Sequence, residues 1–461
     1  MTRCALFALM VCAAPLAAQR GGRPQTCNVH FESTTDSTHS KTLETATKKH
    51  MTWMGGGIRV SCIGTQMVMF ADSVEHFEDA NLLNLYGHVR YREAGPAKQD
   101  TTKIDANTMR YAITDQRIVA EGNVTARSRT GSTLRAPLVT YLRPLPPTRN
   151  YTVLDAVQRA FVVMSDSAKM PDSLKTNIEA DHIHVERDTL YNAGGRVVIT
   201  RPDLTTNSDS AVADIGKHSA RLLGGSPRVF GAGAHPFSVE GKQIDVFGRV
   251  KEVDSVYAHG RAQAKSDSLT MTADTLHMLM SKSLIDRVLA WGGRSHAVST
   301  DRDIVANRID ITMPGQKMHE LTAIGAARAE TKADSAIKST ERNWIEGDTL
   351  HALFEPRAAA DSNKQPVIRT IFSIGNARSF YQLQPREQKD TLPTLNYVVG
   401  RRIDVAFLAG DVRNVHVTGE VRGINLQQGA PDTTSGKKPA PARGRGGSGG
   451  RGGRGGRGGG E

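Results

Sequence analysis

At 461 residues the chain is long enough for two or three ordinary domains or for one extended repeat protein. Only 38% of the residues are hydrophobic and 5% aromatic, which argues against compact globular cores of this size and for a thin, elongated architecture. The formal net charge of +12 suits an acidic partner without naming one.

In chain order, "MTRCALFALMVCAAPLAAQ" reads as a secretory signal peptide over 1–18. Arg3 precedes an apolar stretch, and small residues lead to cleavage near Ala18. The stretch falls short of the ~20 residues of a membrane span, and "LMV" before Cys12 makes a poor lipoprotein box. The mature protein is expected in the periplasm or associated with the outer membrane. Cys4 and Cys12 leave with the signal, so Cys27 and Cys62 form a candidate disulfide in an oxidising compartment. A metal pair has no CxxC spacing to support it.

Two phrases then recur. The first is a small residue, often followed by Asp or Asn, then two apolar residues two apart: "ADHIHV" from Ala180, "GKQIDV" from Gly241, "ADTLHM" from Ala273, "ANRIDI" from Ala306, "GDTLHA" from Gly347 and "GRRIDV" from Gly400. The second is an apolar stretch, a glycine and alternating small residues, as in "RIVAEGNVTA" at 117–126, "SVYAHGRAQA" at 255–264 and "ELTAIGAARA" at 320–329. Gly194, Gly225, Gly260, Gly293 and Gly325 mark successive turns of a repeat of about 30 to 35 residues. Period-two alternation rich in Val, Ile, Thr and Met, punctuated by Gly, Asp and Asn, predicts strands. One repeat cannot bury its own apolar face, so neighbouring copies must stack. A closed β-helix, an open jellyroll and a series of small sandwiches all satisfy this pattern.

The repeats divide the chain into an amino-terminal module over 19–142, central repeats over 177–354 and carboxy-terminal repeats over 367–428. Between them lie a stretch over 143–176, read as a surface loop with irregular strands, and a polar loop over 355–366. The tail over 429–461 is low in complexity, basic and predicted disordered, and from 430 it carries +5 of the +12 net charge. Arg443, Arg445, Arg451, Arg454 and Arg457 make it a candidate anion-binding segment. It lacks the interleaved aromatic residues of nucleic-acid-binding tails, so envelope anions are the expected partners.

The segment "MRYAITDQRIVAEGNVTARSRTGSTLRAPLVTYL" at 109–142 resembles the repeat of the LptA/OstA-like superfamily, through "VAEGNV" at 119–124 and the strand "LRAPLVTY" after it. With the later copies the resemblance covers roughly residues 50–428. It implies an all-β, elongated, open and twisted β-jellyroll. It also implies transport of lipopolysaccharide between the inner and outer membranes, with acyl chains shielded in the groove. Strand-edge association with other jellyroll proteins of that pathway, or a head-to-tail oligomer, follows in the same way. The candidate groove residues are Met109, Tyr111, Ile183, Val185, Ile244, Val246, Leu276, Met278, Ile309, Ile311, Ile403 and Val405. Alternation alone makes them one face of a sheet, which is equally the description of ordinary core. The alternative is a structural or glycan-binding β-solenoid of the envelope that carries no lipid.

Other constellations are weaker. His182, His184 and Glu186 have metal-ligand character, but His277 and His351 occupy the slot of His184 in other repeats, so solvent-facing strand histidines are expected. Asp72, Asp181, Asp274 and Asp348 are read as residues where a turn enters a strand. No G-x-S-x-G, phosphate-loop or H-E-x-x-H motif is present. The expectation is a protein without catalysis, metal or cofactor.

Overall fold

The computed structural model describes residues 27–427 apart from 96–100, 166–170, 172–174, 233–234, 250–251, 301, 332–338, 340, 357–365, 384–391 and 409–410. The expected signal peptide over 1–18, the tail with its five arginines and most of the polar loop over 355–366 lie outside the described residues.

The protein is all-β, as its alternation predicts, and the 26 strands of the described residues belong to one antiparallel sheet. The order begins β1 (Asn28–Ser33), β2 (His39–Glu44), β3 (His50–Ile63), β4 (Met67–Phe77), β5 (Leu82–Ala94), β6 (Thr101–Ala112), β7 (Arg117–Arg127) and β8 (Thr133–Leu142). It continues through β9 (Val153–Met164), β10 (Thr176–Glu186), β11 (Leu190–Thr200), β12 (Leu204–Asp214), β13 (Ser219–Leu223), β14 (Arg228–Gly231), β15 (Phe237–Glu240) and β16 (Gln243–Gly248). Then come β17 (Val253–Ser266), β18 (Leu269–Ser281), β19 (Leu284–Ser299), β20 (Arg302–Thr312), β21 (Glu320–Thr331) and β22 (Asn343–Glu355). The order closes with β23 (Val367–Leu383), β24 (Thr394–Leu408), β25 (Asp411–Thr418) and β26 (Arg422–Leu426).

Long strands pair with their neighbours along the chain as a simple meander. In four places two short strands stand in line where one long strand would be. Both β1 and β2 pair with β3, β13 and β14 with β12, β15 and β16 with β17, and β25 and β26 with β24. The stretch over 143–176, read as a surface loop with irregular strands, holds a loop with an isolated bridge from Leu145 to Arg149 and then the strand β9. Its Val, Ala and Phe residues alternate well enough for β9 to pair along its length with β8 and β10. The sheet also crosses the expected module boundaries without interruption.

The recurring glycines are not at turns. Most sit in the middle of strands, where a pair of left-handed residues breaks the ladder: Gly87 and His88 in β5, Gly122 and Asn123 in β7, Gly325 and Ala326 in β21; Gly225 lies in the bend that separates the in-line strands β13 and β14. Asp72, Asp181, Asp274 and Asp348 are likewise mid-strand, on the neighbouring strand opposite such a bend, which corrects their reading as turn residues. A Cβ on Gly122 would lie 2.6 Å from Asn107 Nδ2, and one on Gly195 would lie 2.6 Å from Asp181 Oδ2. The acid or amide therefore fills the space a side chain would take. It also holds the second residue of the bend: His88 Nδ1 lies 2.8 Å from Asp72, Arg196 Nη2 donates to Asp181 at 2.6 Å, and Asn376 donates to Asp348 at 3.0 Å. The two phrases of the repeat are thus the two halves of one device.

Each bend inserts residues into the ladder and reverses the inward parity of the strand. In β6 the buried side chains are Thr102, Ile104 and Ala106 before the break, then Met109 and Tyr111 after it. The breaks lie side by side on consecutive strands, for example between Asp105 and Thr108 and between Glu121 and Val124. They form a crease along which the sheet folds into two arms. The first arm contains segments such as 82–86, 108–112, 117–121 and 138–142; the second contains 89–94, 101–106, 124–127 and 133–136. The apolar faces of the arms meet. Tyr91 of the second arm packs edge-on against Tyr141 of the first, with ring centroids 5.9 Å apart, and Phe31 meets His76 at 5.6 Å. A single apolar cluster runs between the arms from β3 to β24. Each fully buried Ile or Leu in it contributes about 1.5–3 kcal/mol.

Candidate functional site: the rims of the folded sheet

All twelve candidate groove residues sit on the inner face of the first arm, between 0% and 8% exposed. Leu276 and Met278 are 0% and 1% exposed, while His277 lies on the outer face at 5.2 Å from Tyr257. The small residues after the bends occupy the facing arm: Ala262 and Ala327 are buried, and Ala264 and Ala329 pack at the edge of the same cluster. Large and small side chains interlock, so ten of the twelve meet protein alone, while Val185 and Val246 also line the two clefts described below.

Polar chemistry gathers instead where the free rims of the two arms meet. Glu93 ends the second-arm part of β5, and Arg143 follows β8 at the rim of the first arm. Arg143 donates to Glu93 Oε1 through Nη2 at 2.7 Å and Nε at 3.1 Å. Both side chains are 10% exposed, making this the most deeply buried ion pair among the described residues. Tyr91 and Tyr141 donate to Glu93 Oε2 at 2.9 Å and 3.3 Å. Tyr111 donates to Gln116 Oε1 at 3.0 Å, and Arg143 Nη1 donates to Gln116 and to the Tyr111 oxygen. Burial pushes the Tyr91, Tyr111 and Tyr141 hydroxyls above their ordinary pKa, so they stay protonated donors. Burial opposes the Arg143 charge, but Tyr91 and Glu93 more than compensate and hold it on.

Two clefts interrupt the rims beyond this cluster. The smaller, enclosing about 410 Å³ with its share of open solvent, lies between Thr102, Ser128, Ser132 and Leu134 of one arm and Leu154, Val185, Asp188 and Tyr191 of the other. The larger, about 740 Å³ on the same measure, opens between Ile199, Arg201 and Leu204 and the facing Ile215, His218 and Arg249. Further along, the rims are stitched by side chains: Arg201 Nη2 to the Arg249 carbonyl at 3.3 Å, Ser283 Oγ to Asp203 at 3.0 Å, and Gln316 Nε2 to the His235 carbonyl at 3.4 Å. The Arg302 guanidinium lies 5.7 Å from the centre of the Phe354 ring across the same line. The arms share backbone pairing at the crease, and these rim contacts run through side chains.

Cys27 and Cys62 are joined in a disulfide, with Cα atoms 5.0 Å apart, that ties β1 to the end of β3. His184 faces outward and is held by Asp155 at 2.6 Å and Glu186 at 3.1 Å, with His182 at 3.5 Å from Asp155. His351 meets Glu320 at 2.7 Å. Among the described residues no group of three or more His, Cys, Asp or Glu side chains is arranged to hold a metal ion.

Glu93 and Arg143 were missed by the sequence reading, because 50 residues separate them and no motif joins them. One signal was available: Val89, Tyr91 and Glu93 alternate, which puts an acid on a buried face where it needs a partner. No protein-family model matches the chain, and no curated protein is similar to it.

Proposed function

We propose that this protein is an exported carrier of an amphiphilic envelope lipid of the lipopolysaccharide kind, acting between the inner and outer membranes. The observation that carries the reading is the continuous apolar interior between two arms, hinged on a crease and joined at the rims through side chains. Parting the rims exposes a long apolar channel without breaking the meander's ladder. An acyl chain entering it removes methylenes from water at about 0.8 kcal/mol each. The cations at the rims, among them Arg129, Arg143, Arg201 and Arg249, suit an anionic head group left at the surface. The exposed edges at β1–β2 and β25–β26 suit strand addition by a second jellyroll or a second copy.

A structural or glycan-binding role without lipid is favoured by one observation, the filling of the interior by the protein's own side chains. One experiment separates the two. Photo-crosslinkers at Leu276, Met278, Ile309 and Ile311 should capture the envelope lipid in cells. Folded protein that yields no lipid adduct at any of the four, beside a control that does, refutes transport.

A further inference from the structure

The Glu93 corner carries more positive charge than its acids balance. Arg129, in the turn between β7 and β8, brings Nη2 to 3.9 Å from Glu93 Oε2, whereas Arg143 holds Oε1 of the same carboxylate. Its Nε is buried without a hydrogen-bond partner. Arg149 adds a third guanidinium, donating to the Arg143 carbonyl at 2.7 Å and 3.2 Å. The other acid nearby is Asp188, whose carboxyl burial pushes upward in pKa, against the pull of Arg129. Asp188 lines the smaller cleft, as do Ser128 and Ser132 from the turn that carries Arg129. Two guanidiniums therefore converge on one carboxylate, one still has an unmet donor, and an apolar-backed cleft lined with hydroxyls opens beside them.

Resting on the reading that the interior takes an acyl chain, we propose that Arg129 and Arg143 receive the anionic group of that amphiphile. The incoming group displaces Glu93 and so releases the catch between the two arms. A guanidinium that is nearly dry requires an anion, and a phosphate or carboxylate satisfies the same planar donors as Glu93 does. The exchange leaves Arg143 paired while Glu93 is freed to turn toward water at the opened rim. No covalent step is involved. The ligand's head group is thereby the key to its own entry, and an uncharged lipid of equal chain length lacks it.

The test uses the full chain with three probes: a short-chain phosphatidate, a monoacylglycerol of matched chain length, and inorganic phosphate. Binding is read by titration calorimetry, and rim opening by hydrogen exchange over 128–143. Phosphatidate should bind and speed rim exchange. Arg129→Gln should weaken phosphatidate about tenfold, the loss of one charge-assisted contact, and leave the monoacylglycerol unchanged. Glu93→Gln should strengthen phosphatidate binding and speed rim exchange without ligand. Arg143→Gln removes a buried partner and risks misfolding, so the exposed-side variant Arg129→Gln carries the decision. Phosphatidate binding that ignores Arg129→Gln overturns the proposal while leaving the lipid reading intact. Inorganic phosphate binding as tightly as phosphatidate also overturns it, in favour of a free-anion site. Failure of both amphiphiles to bind defeats the lipid reading itself.

Discussion

The crease makes a sharp prediction about two glycines. Gly325 stands in β21 at φ +81°, and an added Cβ would lie 2.6 Å from Asn307 Nδ2 and 3.0 Å from both Cβ and Cγ of the same residue. Gly194 stands beside the equivalent bend in β11, but its φ is not left-handed and an added Cβ meets nothing within 4 Å. The left-handed region costs an L-residue about 1–2 kcal/mol, from which the lower entropy of the unfolded chain subtracts about 0.4–1 kcal/mol. Backbone strain alone is thus modest, and the neighbouring Ala326 already accepts φ +47°. Displacement of Asn307 must supply the rest, so Gly325→Ala should cost about 1–3 kcal/mol. Gly194→Ala should be neutral or stabilising by up to about 1 kcal/mol. Adding Asn307→Ala to Gly325→Ala removes the amide from the contact, so the double variant should be less destabilised than the sum of the single changes. The assay is denaturant unfolding followed by hydrogen exchange in β20–β22, because stability in a repeat sheet is local and one global midpoint does not report it. Trp291 and Trp344, two of the three tryptophans, flank this region and give a fluorescence signal. Equal losses from Gly194→Ala and Gly325→Ala, or strict additivity with Asn307→Ala, refute the claim that the acid or amide and the glycine form one device.

Leu276→Ala should destabilise β17–β19 by about 2–5 kcal/mol, as expected of a fully buried leucine, while His277→Ala on the outer face should cost less than about 1 kcal/mol in the same unfolding assay. Asp188 makes stability depend on pH. Burial raises its folded pKa, so the folded state binds the proton more tightly than the unfolded chain. The penalty is absent below the ordinary carboxylate range, grows as pH rises through the window up to the folded pKa, and is complete above it. Asp188→Asn should therefore raise rim protection at neutral pH and leave it unchanged in acid, as read by exchange over 187–191. Reducing the Cys27–Cys62 bond, which closes a 35-residue separation, should cost roughly 3–4 kcal/mol in the chain-entropy account. The loss should appear as faster exchange in β1 and leave β10 onward untouched; uniform loosening of the whole sheet contradicts local stability.

Much of the fold was legible because alternation has one physical meaning. Ile309 and Ile311, or Leu276 and Met278, are two apart with polar residues between them, and each pair is buried side by side on one face. The role of glycine and aspartate was misread because a bend in the middle of a strand and a turn at its end use the same residues. Gly122 and Gly325 are left-handed, as turn glycines are, and only the register across strands tells the two apart. What places Asn107 opposite Gly122 is the pairing of β6 with β7. That pairing depends on which strands are neighbours, which local pattern does not encode.

The same reasoning explains why the candidate site moved from the interior to the rim. Alternation identifies which side chains point inward, and it is silent about what fills the space they point into. Here two arms fold onto each other, so Ile183 and Ile244 meet protein and become part of one packed apolar interior. Function that needs entry must then reside where the wall is not backbone. The rim is such a place, and it is also where an apolar architecture tolerates a buried Arg143–Glu93 pair. Breaking one partner of such a pair costs about 3–5 kcal/mol, whereas replacing both with apolar groups is often neutral. If the pair served stability alone, exchanging Glu93 and Arg143 together for leucine and methionine should leave the rims closed and lipid entry unaltered. If it is a catch, the apolar pair should keep the rims shut against phosphatidate, and that difference in entry, not in stability, is what identifies it.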